Sequence, residues 1–382
     1  MFNVGVAMTI LSPYFIVIPA IIILYKLIKN QLAIELNPLN IALFLMFILG
    51  IFSGIINKSL YSIIASFGLL IFLLVGIYLQ NRLTNSHEIE NFIKVVWKVS
   101  LVSACIGILE KITSYFFDMT WVSQLFYSGP YVPSIEDYRI YSTFGNPNVT
   151  GGWFAIMVLV GIYLFEKEYG KKKKLYFISI IMFIFCLIFS GSKGATLGLE
   201  AGLIVYAILR KNIKSKMIIL SLCMMVLSLA LLSPEINHSL NSRDTVWEQS
   251  IQLFIKNPVF GIGIFGIIEK TKYVHAHNIW LSMLTLFGII GFTLYLWIKI
   301  YIYRGLWILY KTHSEELPLF SSIQAVIVGH GMVDFIIMTP QGGMLFFATS
   351  IIIISMVKSS MTYPMLEVEN IGGYARRLGT KR

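Results

Sequence analysis

Long apolar runs separated by short polar links follow one another through most of this chain, and that pattern limits its fold more than any single motif does. A helix needs about 20 apolar residues to cross a hydrocarbon core roughly 30 Å thick. About eleven such segments stand near 4–25, 39–56, 60–79, 92–112, 150–166, 175–190, 194–209, 217–233, 278–303, 317–339 and 341–357. The first contains Pro13 and Pro19, so it reads either as a broken helix or as a re-entrant pair. With 57% hydrophobic and 13% charged residues among 382, the chain has more apolar surface than a soluble globule hides. The expected architecture is all-α, a single integral membrane domain over 1–382 built as a polytopic bundle of about ten to twelve spans.

Cations are retained on the cytoplasmic side of a membrane. The topology that satisfies this keeps five connections inside: Lys26 and Lys29; Arg82 and Lys94; Lys167 with Lys171 to Lys174; Arg210 to Lys216; and Lys299, Arg304 and Lys311. The tail 358–382 is then cytoplasmic as well, and two long loops, 113–149 and 234–277, face outward. A multi-pass cell-membrane protein with an extracytoplasmic site is expected. The net charge of +11 is largely this positive-inside signature. The Lys171–Lys174 run, flanked by spans, reads as a cytoplasmic anchor, and no nucleic-acid partner is expected. No cationic stretch precedes the first apolar run, so that run is expected to stay as a membrane segment. Cys105, Cys186 and Cys223 all lie in apolar segments and read as packing residues.

The second outer loop has readable structure of its own. Trp247, Ser250, Ile251, Phe254 and Ile255 recur with helical spacing and give one apolar stripe suited to the membrane surface. Ser242 or Asp244 is expected to cap that helix, with Asn257-Pro258 ending it. Arg243 would then sit at the helix N-terminus, where free N–H groups favour a diphosphate; the alternative is an arginine that snorkels to lipid phosphates. Gly261, Gly263 and Gly266 form a G-x-G-x-x-G, but a surface helix precedes it instead of a strand, which excludes a dinucleotide fold. These glycines are expected to make tight turns and let backbone approach a lipid headgroup.

His277 and Asn278 directly precede the ninth apolar segment. A helix dipole there lowers an imidazole's pKa and favours the neutral form, the form that serves as a general base. His275 and His277 also suggest a metal pair, yet no outer-loop acids stand in a D-x-D-like pattern, so the expectation is catalysis with no metal and no cofactor. Cations must then offset the leaving diphosphate. Arg139, shortly before the fifth segment, and Lys193, in the tight turn S-G-S-K-G, are further candidates, with interfacial anchoring as the alternative for each. His330 and Asp334 fall at i and i+4 in the tenth segment, where they would either pair for stability or orient an acceptor.

Three pieces taken together resemble the O-antigen ligase and polymerase superfamily. They are R-I-Y-S-T-F-G-N-P-N, with Arg139, Asn146 and Asn148; S-G-S-K-G, with Lys193; and R-D-T-V-W through H-N-x9-G-x-x-G, with Arg243, Trp247, His277, Asn278, Gly288 and Gly291. The resemblance implies a helical bundle of the GT-C type. It also implies metal-independent, inverting transfer of a glycan from undecaprenyl diphosphate to a glycan or lipid acceptor, among membrane lipids. It casts His277 as the group that activates the acceptor hydroxyl, and Arg243 and the short turn as diphosphate contacts. Lys193 stands where arginine is usual, and a point charge lacks the bidentate fork of a guanidinium. The superfamily contains ligases and polymerases. The Ile- and Lys-rich composition, as in low-GC genomes, leans toward a polymerase, with ligase-type transfer as the alternative. A polysaccharide exporter is a third reading, though the notable polar residues cluster on loops and not at a midplane site.

Overall fold

A computed structural model of the protein describes residues 2–119, 121–122, 138–210, 212, 216–217, 219–222, 236–271 and 273–378, with backbone alone for 236–242 and 361–378. Among these residues every regular element is helical. Six helices are long and apolar enough to cross a membrane: α3 (Pro38–Ile56), α4 (Leu60–Arg82), α5 (Ser86–Ser114), α6 (Pro147–Lys167), α11 (Ile279–Lys311) and the first part of α13 (Pro340–Leu378). Shorter apolar helices are α1 (Phe2–Leu11), α2 (Val17–Ile28) and α12 (Leu317–Gly331); α7 (Lys171–Phe189) packs on α6, and α8 (Lys193–Leu209) on α12 and α6. The expected span 217–233 lies mostly outside the described residues. The architecture is thus that of a polytopic helical membrane protein.

The Pro-containing first segment is a re-entrant pair, not one broken span. Phe2 packs its ring 5.7 Å from Phe92 and 6.0 Å from Tyr78, while Lys26 lies 5.6 Å over that same Tyr78 ring. Both ends of the hairpin thus sit at one level of the bundle. Its tip reaches the other end, where Thr143 Oγ1 donates to the Ile10 carbonyl at 2.9 Å.

Charged residues gather at the end that holds Phe2 and Lys26. Arg210 pairs with Glu166 at 2.8 Å, Lys167 with Glu316 at 3.4 Å, and Lys358 with Glu35. Lys299, expected in a connection, is instead buried inside α11, where its ammonium donates to Gln324 Oε1 at 3.1 Å and lies 4.8 Å over the Tyr303 ring. The helix runs on to Lys311, because no Gly or Pro follows Gly305 to stop it before Thr312, and this draws Lys299 into the bundle.

The expected span 278–303 is longer and broken. Gly288 has φ +65°, and there the loop after α9 (Ile236–Lys256) docks on the opened helix. Ile262 N donates to Thr285 O, Gly263 N to Leu286 O and Ile289 N to Pro258 O, at 3.0, 3.0 and 2.8 Å. Gly261 and Gly263 take φ of +68° and +86°, and a Cβ on Gly261 would lie 2.4 Å from the Leu286 carbonyl. The sequence suggests a lipid headgroup as the partner of these glycines. Gly261 comes close to the α11 backbone and Gly263 to the Ser62 side chain of α4, while the N–H groups of Ile262 and Gly263 satisfy carbonyls that the break exposes.

Candidate active site

The end opposite the charged network carries nearly all the residues singled out in the sequence. His277 has φ +49°, and Asn278 after it caps α11, its Oδ1 accepting from the N–H groups of Trp280 and Leu281 at 3.0 Å. The Asn278 amide donates to the Met332 carbonyl at 3.0 Å and ties this start to the segment that follows α12. That segment corrects one expectation. Helix α12 ends at Gly331, so His330 and Asp334 do not share a helical face. The sequence G-H-G weakens the helix there, and Asp334 Oδ1 accepts from the next backbone N–H, that of Phe335, at 2.8 Å, the kind of local bond that competes with helix continuation.

The fold still brings the two together. Asp334 is 4% exposed and three imidazoles converge on it. His275 Nε2 lies 2.6 Å from Oδ1, a hydrogen bond; His277 Nδ1 stands 3.5 Å from Oδ1 and His330 Nε2 3.6 Å from Oδ2, which are electrostatic contacts. His330 is fully buried, with neither ring nitrogen hydrogen-bonded among the described residues. Its ring fits against glycines, since a Cβ at Gly152 would meet Nδ1 at 2.8 Å and one at Gly194 would meet Cδ2 at 2.8 Å.

The electrostatics follow. Burial opposes a charge on Asp334, but the His275 hydrogen bond, with the His277 and His330 rings facing the same carboxylate, prevails and holds its carboxyl well below the usual carboxylate range. Burial lowers the His277 pKa, with the Asp334 charge working the other way. The direction is the one expected, and burial is its leading cause. A proton on Nδ1 facing Asp334 leaves the Nε2 lone pair for another group. The His277 side chain is 30% exposed, so a second molecule can reach it.

For Arg243 the sequence predicts a helix N-terminus. Instead α9 begins at Ile236, because no Gly or Pro lies between there and Lys256, so Arg243 and Asp244 are both interior to the helix. The dipole argument for Arg243 therefore falls. Burial lowers its pKa while the Asp334 charge works to raise it, and its own charge in turn disfavours a cationic His277, so the guanidinium, Asp334 and His277 share one electrostatic site. Trp247, one turn further along α9, has a buried indole N–H with no hydrogen bond among the described residues.

A second set adjoins the first. Arg139 donates through Nε to the Ser190 carbonyl at 2.7 Å and through a terminal nitrogen to Asn148 Oδ1 at 2.6 Å. Asn146 caps α6, accepting from the N–H groups of Asn148 and Val149 at 2.8 and 3.3 Å. Lys193 opens α8, one residue before the Gly194 that meets His330. Sequence reasoning missed what holds Arg139 there. The Glu110 carboxylate of α5 accepts from Tyr138 Oη at 2.7 Å, Tyr141 N at 2.9 Å and Ser142 N at 2.7 Å. An acid inside an apolar segment was the available signal. The same reasoning assigned His275 only to a metal pair and missed its bond to Asp334.

His275, His277 and Asp334 offer ligand atoms that all lie within 4.8 Å of one another, so these three residues could hold a metal ion. The outer-loop acids show no such pattern, because the third donor comes from a segment distant in sequence. Without a metal the same arrangement is a carboxylate-oriented imidazole beside a guanidinium, suited to taking a proton next to an anion.

No curated protein matches the chain. Residues 177–296 match the family model described as O-antigen ligase, a stretch that includes Lys193, Arg243, Trp247, His277 and Asn278. Over that stretch, less than half of the chain, the protein is similar to the O-antigen ligase and polymerase superfamily, whose members are glycosyltransferase-like enzymes.

Proposed function

We propose that this protein is a polymerase-type glycosyltransferase that joins undecaprenyl-diphosphate-linked oligosaccharide units at the outer face of the cytoplasmic membrane. The observation that carries this reading is the convergence of His277, Asp334 and Arg243 at one end of the bundle, with His277 and Arg243 inside the matched stretch. His277 Nε2 takes the proton of an acceptor hydroxyl while Asp334 stabilises the imidazolium that forms. The hydroxyl oxygen bonds to the anomeric carbon, the bond from that carbon to the diphosphate oxygen breaks, and the diphosphate leaves with the electron pair. Attack opposite the leaving group inverts the centre. Arg243, Arg139 and Lys193 offset the charge on the diphosphate, so no metal is required.

The family description favours a second reading, transfer of a finished glycan to a lipid or protein acceptor by the same groups. Purified protein given a lipid-diphosphate glycan as both donor and acceptor separates the two. A ladder of products supports polymerisation; product only when a distinct acceptor lipid is added supports ligation. In either case His277→Ala should lower turnover by roughly 10²–10⁴-fold. A folded His277→Ala protein with wild-type turnover would overturn the assignment of the base.

A further inference from the structure

A base and the carboxylate that orients it need one imidazole, yet three rings face Asp334. Two of them hold nitrogen atoms that the hydrogen bonding leaves idle. His277 Nδ1 and His330 Nε2 are buried without a hydrogen bond among the described residues, 3.5 Å from Oδ1 and 3.6 Å from Oδ2. The backbone at 275–277 brings two of the rings together. Ala276 is fully buried and His277 has φ +49°, and the His275 and His277 rings stand with centroids 4.3 Å apart. A left-handed backbone at a residue other than glycine is held in place by its surroundings and clusters at functional sites.

Two imidazoles and a carboxylate are donors that zinc takes while keeping a fourth position open. Mg²⁺ and Ca²⁺ prefer oxygen throughout. The donor atoms of His275, His277 and Asp334 lie within 4.8 Å of one another. Tetrahedral zinc with bonds of about 2.1 Å spaces its ligand atoms about 3.4 Å apart. The 3.5 Å between His277 Nδ1 and Asp334 Oδ1 already matches, and the 2.6 Å contact of His275 has only to open by a fraction of an ångström as the ion replaces its proton. His330 stands at Oδ2, where a zinc-binding carboxylate takes its supporting hydrogen bond. The side chains of His275 and His277 are 17% and 30% exposed, which leaves a path of entry.

We propose that His275, His277 and Asp334 bind Zn²⁺ and that the bound ion silences the active site. The inhibition rests on the glycosyltransferase reading; the binding does not. A neutral imidazole that holds a metal through Nδ1 carries its proton on Nε2. The proton that Nδ1 presents to Asp334 in the metal-free protein therefore passes through solvent to Nε2, and the lone pair that takes the acceptor's proton is lost. The ion also occupies the carboxylate charge that stabilises the imidazolium. Metal-free transfer and zinc inhibition are two states of one cluster.

The experiment begins with binding, which needs no turnover. The full-length protein in detergent is titrated with Zn²⁺ against a chromophoric chelator. One ion per chain is the expected result, with His275→Ala and Asp334→Asn each weakening it at least about 100-fold, more than loss of an outer-shell partner costs. His87→Ala and His313→Ala, at the charged end of the bundle, should leave binding unchanged. X-ray absorption of the bound ion should show two imidazoles and no sulfur. Zinc should raise the unfolding temperature of the unmodified protein and not that of His275→Ala, whose own cooperative unfolding shows that it is folded. Unchanged binding in both ligand variants, or fewer than two imidazoles on the ion, overturns the site. Turnover of a lipid-diphosphate glycan should fall in step with zinc occupancy and return in EDTA, and full turnover by the zinc-loaded protein overturns the inhibition. Failure of the transfer reading shows separately, as absence of product from the zinc-free protein, a result that removes the inhibition and leaves the site to the binding measurements.

Discussion

Replacing Asp334 by Asn keeps the size of the side chain and removes its charge. The carboxylate lies 3.5 Å from His277 Nδ1 and also faces His275 and His330. At an effective dielectric of about 20, a carboxylate and an imidazolium at that separation attract by about 5 kcal/mol. The His277 side chain is 30% exposed, and solvent screening lowers this to about 2–4 kcal/mol. Asp334→Asn should then reduce kcat roughly 30- to 1,000-fold, at about 1.36 kcal/mol per decade. The pH dependence gives a second sign. The working form of His277 is neutral, so activity rises with pH through its pKa, which burial already lowers and the Asp334 charge raises. Without that charge the rising limb should move to lower pH while the plateau falls. The assay is turnover of a lipid-diphosphate glycan from about pH 5 to 9, with thermal unfolding as a check on folding. A folded variant with a plateau within threefold of wild type, or with its limb displaced to higher pH, would refute the dyad.

Arg243→Ala should abolish turnover, and Arg243→Lys should restore only part of it if two-pronged phosphate contact matters; full activity of the alanine variant would move the donor site toward Arg139 and Lys193. The enzyme should work in excess chelator, and activity lost in EDTA and regained with Mg²⁺ or Mn²⁺ would recast His275, His277 and Asp334 as ligands. Gly288→Ala should cost several kcal/mol and lower the unfolding temperature, because the residue has φ +65° and its Cβ would lie 2.3 Å from Val259 O. Gly68→Ala, with nothing within 4 Å, serves as the neutral control, and equal effects from the two would contradict the backbone argument.

Much of the bundle was legible in the sequence, because membrane helices declare themselves by length and apolarity before any packing is known. The starts of α6 and α11 could likewise be read from local chemistry, since Asn146-Pro147 and Asn278 cap their own helices. His277, Arg243, Arg139 and Lys193 were named from short motifs. Their common geometry was not legible there. Helix α9 starts seven residues before Arg243, so a dipole site inferred from a local cap did not form. Helix α12 stops at Gly331, and Asp334 reaches the histidines from a turn instead of a helical face. The loop glycines spend their freedom on the break in α11, a contact between segments whose pairing no local pattern records. Local hydrophobicity and capping fix which helices form, because each needs only its own residues and the bilayer. The arrangement of the candidate site depends on which helix ends meet, and packing between segments distant in sequence decides that.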